Sequence, residues 1–161
     1  RVVSDVWNEG WTHHIARLMI LGNIATLLDV SPRELADWFW IAYEDAYDWV
    51  VEHNVLGMGT YGVGDLITTK PYVAGAPYIH RMSDYCGECV FDPRTNCPVT
   101  SLYWAFLARH EAVLRGNPRL NTQMGTLRRR SQESKDRDRL VYSTVRESMM
   151  SAEPLTPGRL E

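Results

Sequence analysis

The spacing of hydrophobic residues along the chain predicts helices and gives no convincing pair of strands. Val2 to Asn8 has the pattern of a helix that Gly10 ends. Thr12 is a suitable N-cap for the next helix. Apolar residues then recur at helical spacing, at Ile15, Leu18, Met19, Ala25 and Leu28. The pattern therefore predicts an all-α protein.

The middle of the chain predicts one long helix followed by a loop. The run from Ser31 to Glu34 matches a capping box with proline at the first helical position. From Leu35 to Val51 the chain has more aromatic rings than one helix face can hold, so we expect this helix to be buried on several sides. Four glycines between Asn54 and Asp65 predict a loop whose backbone approaches a ligand closely.

The second half of the chain predicts three more helices and a tail. The helices are expected around Tyr78 to Met82, from Pro98 to about Val113, and from Leu127 to Met150. A chain of 161 residues with 45% hydrophobic content is long enough for one core, so residues 1–150 are expected to form a single domain. Residues 151–161 are predicted to be a flexible tail.

The two ends of the sequence suggest a piece of a larger protein. The chain starts at Arg1, already inside an apolar-periodic segment, so we expect a missing N-terminal part of the same protein as a partner. The closing Leu160 and Glu161 are interpreted as a remnant of cloning.

Composition and charge narrow the classes of function. The formal net charge is −3, so a contact with nucleic acid must come from a local patch. No apolar run reaches the length of a membrane span or resembles a signal peptide. The three clustered cysteines argue against a secreted disulfide framework. We therefore expect a cytoplasmic protein without a membrane partner.

Cys86, Cys89 and Cys97 are candidate metal ligands. Cys-x-x-Cys lets two thiolates reach one metal centre, and Cys97 precedes a proline as in ferredoxin-type segments. Three thiolates are one short of the four ligands of a zinc site or a [4Fe-4S] cluster. His80 or His110 would complete a zinc site, which these residues alone favour over iron-sulfur; metal-free cysteines are a further alternative.

Seven motifs, taken in order, resemble the bacterial iron-sulfur photolyase and cryptochrome family. They are Trp11 to Asn23, Trp38-Phe39, Asp45 to Val50, Asn54 to Met58, Thr69 to Tyr72, Arg81 to Pro98, and Ser101 to Trp104. The resemblance is to the C-terminal part of that family's catalytic domain. It implies a multi-helix, all-α domain that binds FAD. It also implies a [4Fe-4S] cluster in the full-length protein, with Cys86, Cys89 and Cys97 as ligands and a fourth cysteine upstream of Arg1.

The resemblance implies a set of flavin-binding and catalytic residues. The flavin-binding residues are His13, His14, Arg17, Trp38, Asp45, Asp48, Glu52, Asn54, Gly57 and Met58. His14 is expected to transfer a proton. It shares a helix face with Arg17, whose guanidinium the family pairs with the Asp45 carboxylate beside the flavin. Trp38 is expected to be the first electron donor. Without the resemblance, each would be an ordinary core or surface residue.

One position departs from the family pattern. Where related photolyases have a polar or acidic residue near the flavin, this chain has Val51, with Glu52 adjacent. An apolar side chain there is expected to change which reduced state of the flavin is stable.

The resemblance also implies a DNA-binding rim formed by Lys70, Tyr72 and Tyr78. Lys70 is expected to contact a phosphate, and Tyr72 is expected to act catalytically against a flipped lesion in damaged DNA. The basic run Arg128 to Arg130 lies among acidic residues and is interpreted as a solvated helix face, with DNA-backbone binding as the alternative.

Three functions follow from these observations. The first is a flavin-dependent DNA photolyase that repairs ultraviolet-induced pyrimidine lesions by light-driven electron transfer. The second is a cryptochrome-like blue-light sensor that does not repair DNA. The third is a structural, cysteine-rich module that binds a metal or nucleic acid.

Overall fold

The computed structural model describes residues 1–160, which form helices and turns and contain no strand. The chain divides by its contacts into two compact units, Arg1–Val73 and Ala74–Glu161. The presence of helices and the absence of strands in residues 1–160 confirm the predicted all-α class. No helix in the described part of the chain combines the length and the apolar character needed to cross a membrane.

The first unit contains four α-helices and two π-helices. In chain order these are α1 (Val2–Glu9), a first π-helix (Ala16–Gly22), α2 (Asn23–Leu27), α3 (Pro32–Ala42), α4 (Asp48–Val51) and a second π-helix (Glu52–Gly59), followed by a 3-10 turn (Gly64–Leu66). Its core joins α1, α2, α3 and α4 through Val6, Ala25, Leu35, Phe39, Ala42, Tyr43, Ala46 and Val51.

Local capping signals in this unit behave as predicted. Gly10 adopts a left-handed conformation with φ of 62° after α1, and its N–H donates to the Val6 carbonyl. Ser31 caps α3 by accepting from the Glu34 N–H at 3.4 Å, with Pro32 at the first helical position.

Thr12, predicted as a cap, makes a different contact. Its hydroxyl is buried and hydrogen-bonds to the Tyr43 hydroxyl at 2.7 Å. The His13 ring instead accepts from the Ile15 N–H at 3.2 Å. The prediction of a Thr12 cap is therefore wrong.

The single helix predicted from Leu35 to Val51 is also wrong. The chain leaves the helix after Ala42, where Tyr43 is extended, because the Glu44 N–H bonds to the Gly10 carbonyl and the Tyr43 hydroxyl bonds to Thr12. Three of the aromatic side chains that were expected in the core face solvent: Trp40 within α3, and Tyr47 and Trp49 after its end, are 54%, 61% and 76% exposed.

The glycine-rich loop predicted from Asn54 to Asp65 is helical in its first half. Residues up to Gly59 belong to the second π-helix, and turns begin only beyond it. Gly57 is buried and lies so close to the Ile67 side chain that an added Cβ would clash with it. The absence of a Cβ there accommodates Ile67.

The second unit is built around two packed helices, α6 and α9. Its elements are α5 (Ala76–Met82), α6 (Pro98–Arg109), α7 (Glu111–Leu114), a 3-10 turn (Pro118–Leu120), α8 (Asn121–Arg129), α9 (Gln132–Met150) and a 3-10 turn (Pro157–Arg159). Leu102 and Leu107 of α6 are buried with Val141 and Val145 of α9.

Two of the three predicted helices in this unit need correction. The helix around Tyr78 to Met82 is confirmed as α5, whereas the one starting at Pro98 is interrupted at His110. The predicted final helix from Leu127 is two helices, because Ser131 is extended and caps α9 by accepting from the Ser134 N–H.

Candidate functional site

The first unit has a pocket of about 680 Å³ between its two π-helices, α3 and α4. π-helices are rare and are found frequently at functional sites. The lining is mostly apolar and consists of His14, Arg17, Leu18, Gly22, Leu35, Phe39, Ala46, Val50, Val51, Asn54, Val55, Gly59 and Thr60. Apolar walls with a few polar groups are typical of a pocket for an organic cofactor.

Arg17 is held in a single orientation at this pocket. Its Nη1 and Nη2 donate to the two carboxylate oxygens of Asp45 at 2.7 and 3.0 Å, and its Nε donates to the Thr12 carbonyl at 2.8 Å. The guanidinium also lies 4.3 Å from the centroid of the Tyr43 ring. The ion pair predicted between Arg17 and Asp45 is therefore confirmed, and its position beside a flavin stays a prediction.

Only one of the two adjacent histidines lines the pocket. His14 is exposed and lies on the pocket wall with Arg17, as residues three apart on a helix should. His13, whose ring accepts the Ile15 N–H, is not part of the lining. Asn54 also lines the pocket, and its Nδ2 donates to the Val50 carbonyl at 2.9 Å.

Several other predicted flavin-binding residues lie outside the lining. They are Trp38, Asp45, Asp48, Glu52, Gly57 and Met58. Glu52 instead pairs with Arg33 through contacts of 2.5 and 3.1 Å. The hydrogen bond from Arg33 lowers the pKa of Glu52, and the hydrogen bond to Glu52 raises the pKa of Arg33. Val51, by contrast, is buried and lines the pocket.

Trp38 does not line the pocket, but it contacts Phe39, which does. Its ring lies edge-on to Phe39, Tyr43 and Trp7, with centroids 5.3, 6.2 and 6.4 Å away. Phe39 lines the pocket and stacks on Tyr43 at 5.0 Å. The rings thus form a continuous cluster from the pocket wall to Trp7, which is 63% exposed.

Sequence reasoning missed most of the apolar lining. Leu18, Gly22, Leu35, Phe39 and Val55 carry no chemical signature, and their helical spacing indicated only that they would be buried somewhere. Candidate polar residues could be chosen from the sequence by residue type, whereas the apolar residues of the pocket lining could be identified only from the tertiary structure.

The predicted DNA-binding residues are partly exposed. In the first unit Lys70 is half-buried and Tyr72 is 39% exposed, in the segment after the 3-10 turn. In the second unit Tyr78 is 37% exposed on α5, where the Arg81 guanidinium lies 5.3 Å from its ring centroid. Their role toward DNA stays a prediction.

The three cysteines are free thiols in the loop between α5 and α6. His80, Cys86 and Cys89 line one hollow, whereas Cys97 lines a different cleft. Burial raises the pKa of Cys97 to about 11, and burial, with a smaller effect of Cys89, raises that of Cys86. No group of three or more His, Cys, Asp or Glu side chains within residues 1–160 is arranged to hold a metal. The ligand type suits iron or zinc, but the set is incomplete.

The amino-acid sequence of the chain is similar to those of known proteins. It is 41% identical over 138 residues to a protein of Agrobacterium fabrum named (6-4) photolyase, covering 83% of this chain but only 27% of that relative. It is 30% identical over 115 residues to an uncharacterized protein of Acanthamoeba polyphaga mimivirus, of which it covers 90%. No protein-family model matches the chain.

Proposed function

Because the chain belongs to the photolyase/cryptochrome family, we propose that it is part of a flavin-dependent photolyase that repairs ultraviolet-damaged DNA by light-driven electron transfer. The observation that carries the proposal is the 41% identity to the (6-4) photolyase. The name of that relative makes the (6-4) photoproduct the first lesion to test. The chain spans about a quarter of that relative's length, so the activity is proposed for the whole protein.

The pocket of the first unit supports FAD as the cofactor. Its walls include Leu18, Leu35, Phe39 and Val51, and these apolar side chains suit the flat face of an aromatic ring system. The guanidinium of Arg17, fixed by Asp45, supplies a positive charge at the same wall. When bound, the flavin would supply the light-absorbing, electron-donating group.

The residues of the chain would then have separate tasks. Arg17 and Asp45 would orient the cofactor, since their bidentate pair leaves the guanidinium little freedom. His14 is exposed, so its imidazole would give a proton to the substrate and take it back. Trp38 would pass an electron toward the pocket through the rings of Phe39 and Tyr43.

One observation favours a second candidate, a blue-light sensor without repair. Val51 lines the pocket, whereas the adjacent carboxylate of Glu52 is engaged with Arg33 outside the lining. An apolar side chain cannot hydrogen-bond to the cofactor, so it would change which reduced state persists. Repair of lesion-containing DNA under blue light by the full-length protein distinguishes the two candidates.

His14 provides the sharpest test of the repair function. We expect His14→Ala in the full-length protein to lower the repair rate about 10²- to 10⁴-fold without loss of bound flavin, because proton transfer typically contributes that much. His53→Ala is the matched control, since His53 is exposed in the same unit but does not line the pocket. Normal repair by His14→Ala would refute the assigned role.

The cysteines are proposed to bind a [4Fe-4S] cluster only in the full-length protein. Cys86, Cys89 and Cys97 are not arranged as a metal-binding group among the described residues, so the proposal requires them to come together with a fourth ligand when the cluster binds. Iron and sulfide analysis of the full-length protein tests this, and zinc in place of iron would contradict it. Damaged DNA as partner and a cytoplasmic location stay predictions.

A further inference from the structure

The second unit contains a cleft whose arginines have no part in the proposed function, although Cys97 also lines it. It lies between the Pro93–Cys97 segment and parts of α6 and α9. Arg94, Arg130 and Arg137 line it, and Asp138 is the one carboxylate among the described lining residues. Three positive charges therefore face one negative charge, although the chain as a whole has a formal net charge of −3.

Arg130 is held in one orientation in this cleft by Asp138 and Trp104. Its Nη2 donates to the buried carboxylate of Asp138 at 2.5 Å, and its guanidinium lies 4.8 Å from the ring centroid of Trp104. Its Nε is buried and has no hydrogen-bond partner in the described part of the chain. Because this Nε is buried, a ligand in the cleft would contact the rest of the Arg130 guanidinium, which belongs to the lining.

The other two arginines of the cleft can interact with a ligand through their whole guanidinium groups. The side chains of Arg94 and Arg137 have no hydrogen-bond or ion-pair partner within residues 1–160. The hydroxyl groups of Thr95 and Ser101 line the same cleft. Guanidinium groups combined with hydroxyl donors are the set that binds phosphate oxygens, because the planar fork of arginine matches two of those oxygens at once.

We propose that this cleft binds a phosphate group through the guanidinium groups of Arg94, Arg130 and Arg137. The phosphate belongs either to the backbone of a nucleic acid or to a free phosphate, since both present the same oxygens to arginine. The proposal goes beyond the photolyase function because it requires neither a flavin nor a lesion. Its outcome is therefore independent of whether the protein repairs DNA.

Two binding assays in the dark test the proposal on the full chain. Fluorescence anisotropy with an undamaged oligonucleotide at several salt concentrations reports backbone binding, and calorimetry with inorganic phosphate reports binding of the free ion. The test variant is Arg94→Gln/Arg137→Gln. Arg146→Gln is the control, because Arg146 is exposed on α9, outside the lining, and lies nine residues and thus half a turn around the helix from Arg137.

We expect the double variant to bind about tenfold more weakly or worse. The magnitude of the salt slope for the oligonucleotide should also fall by about 1 for each phosphate that the variant no longer binds. The control should stay within about twofold of the unmodified chain. Weaker binding of the oligonucleotide identifies the backbone as the source, and weaker binding of inorganic phosphate alone identifies the free ion.

Three results would overturn the proposal: the unmodified chain binds neither probe, the double variant binds as the unmodified chain does, or the control loses as much affinity. If the double variant does not fold, Arg137→Gln alone carries the test, because its side chain has no partner within residues 1–160 to lose.

Discussion

Replacing Arg17 by lysine should measurably lower the stability of the protein. Lysine keeps the positive charge but lacks the planar fork and the Nε donor. The guanidinium makes three hydrogen bonds, two to Asp45 and one to the Thr12 carbonyl, and it lies on the Tyr43 ring. A lysine ammonium in the same space would retain about one of these bonds.

The size of the loss follows from these interactions. Each hydrogen bond that is removed contributes about 0.5–1.5 kcal/mol, and the contact with the ring contributes about 0.5–1 kcal/mol. The two hydrogen bonds to Asp45 contribute less than the upper end of this range, because the Asp45 side chain is 49% exposed and water screens the pair. The Arg17 side chain is only 17% exposed. We therefore expect Arg17→Lys to lower the free energy of unfolding by about 1–3 kcal/mol.

Arg33→Lys is a matched control within the same unit. Arg33 also forms two hydrogen bonds with a carboxylate, that of Glu52, but its side chain is 55% exposed. The change should therefore cost less than Arg17→Lys, since exposed ion pairs contribute little.

Urea denaturation followed by tryptophan fluorescence measures both variants. Five of the six tryptophans lie in the first unit, so the signal reports mainly on the unfolding of that unit. A shift of the midpoint at constant slope reports the change in stability. Equal losses for Arg17→Lys and Arg33→Lys would refute the argument that burial and the Thr12 bond make Arg17 a structural anchor.

Three further predictions concern stability alone. Leu27→Ala should cost about 2–5 kcal/mol, because Leu27 is fully buried, whereas Ile41→Ala, at a position 71% exposed, should cost far less; similar urea midpoints would contradict this. Gly125→Ala in α8 should stabilise by about 0.4–1 kcal/mol, because an added Cβ meets no atom within 4 Å, and a lower thermal midpoint would count against it. Because Arg33 lowers the pKa of Glu52 in the folded state, the pair stabilises fully above the ordinary glutamate pKa. Its contribution should disappear as the pH falls through the lowered value, so the difference in urea midpoint between the unmodified chain and Glu52→Gln should shrink on acidification; a constant difference would refute it.

The sequence predicted those parts of the fold that depend on neighbouring residues. The serine cap at Ser31, the glycine stop at Gly10 and the proline start at Pro98 are local, because the groups that bond lie within a few residues of one another. The cap at Ser131 is equally local, and its Ser-x-x-Ser spacing was a signal that the prediction of one long final helix overlooked.

The break after Ala42 was not predictable in this way. It depends on bonds from Tyr43 and Glu44 to Thr12 and Gly10, more than thirty residues earlier in the chain. No short window of sequence contains both partners, so propensity and periodicity predicted one continuous helix where tertiary contacts end it.

For the pocket, residue type in the sequence determined which polar groups were candidates, and only tertiary structure decided which of them meet. His14, Arg17 and Asn54 line the same pocket as Val51, whereas Glu52, one residue after Val51, pairs with Arg33 outside the lining. Adjacent residues on a helix point about 100° apart, so a shift of one position in the helix register separates a pocket residue from a surface residue. The packing that fixes the register comes from the surrounding apolar side chains, whose identities alone carry no such information.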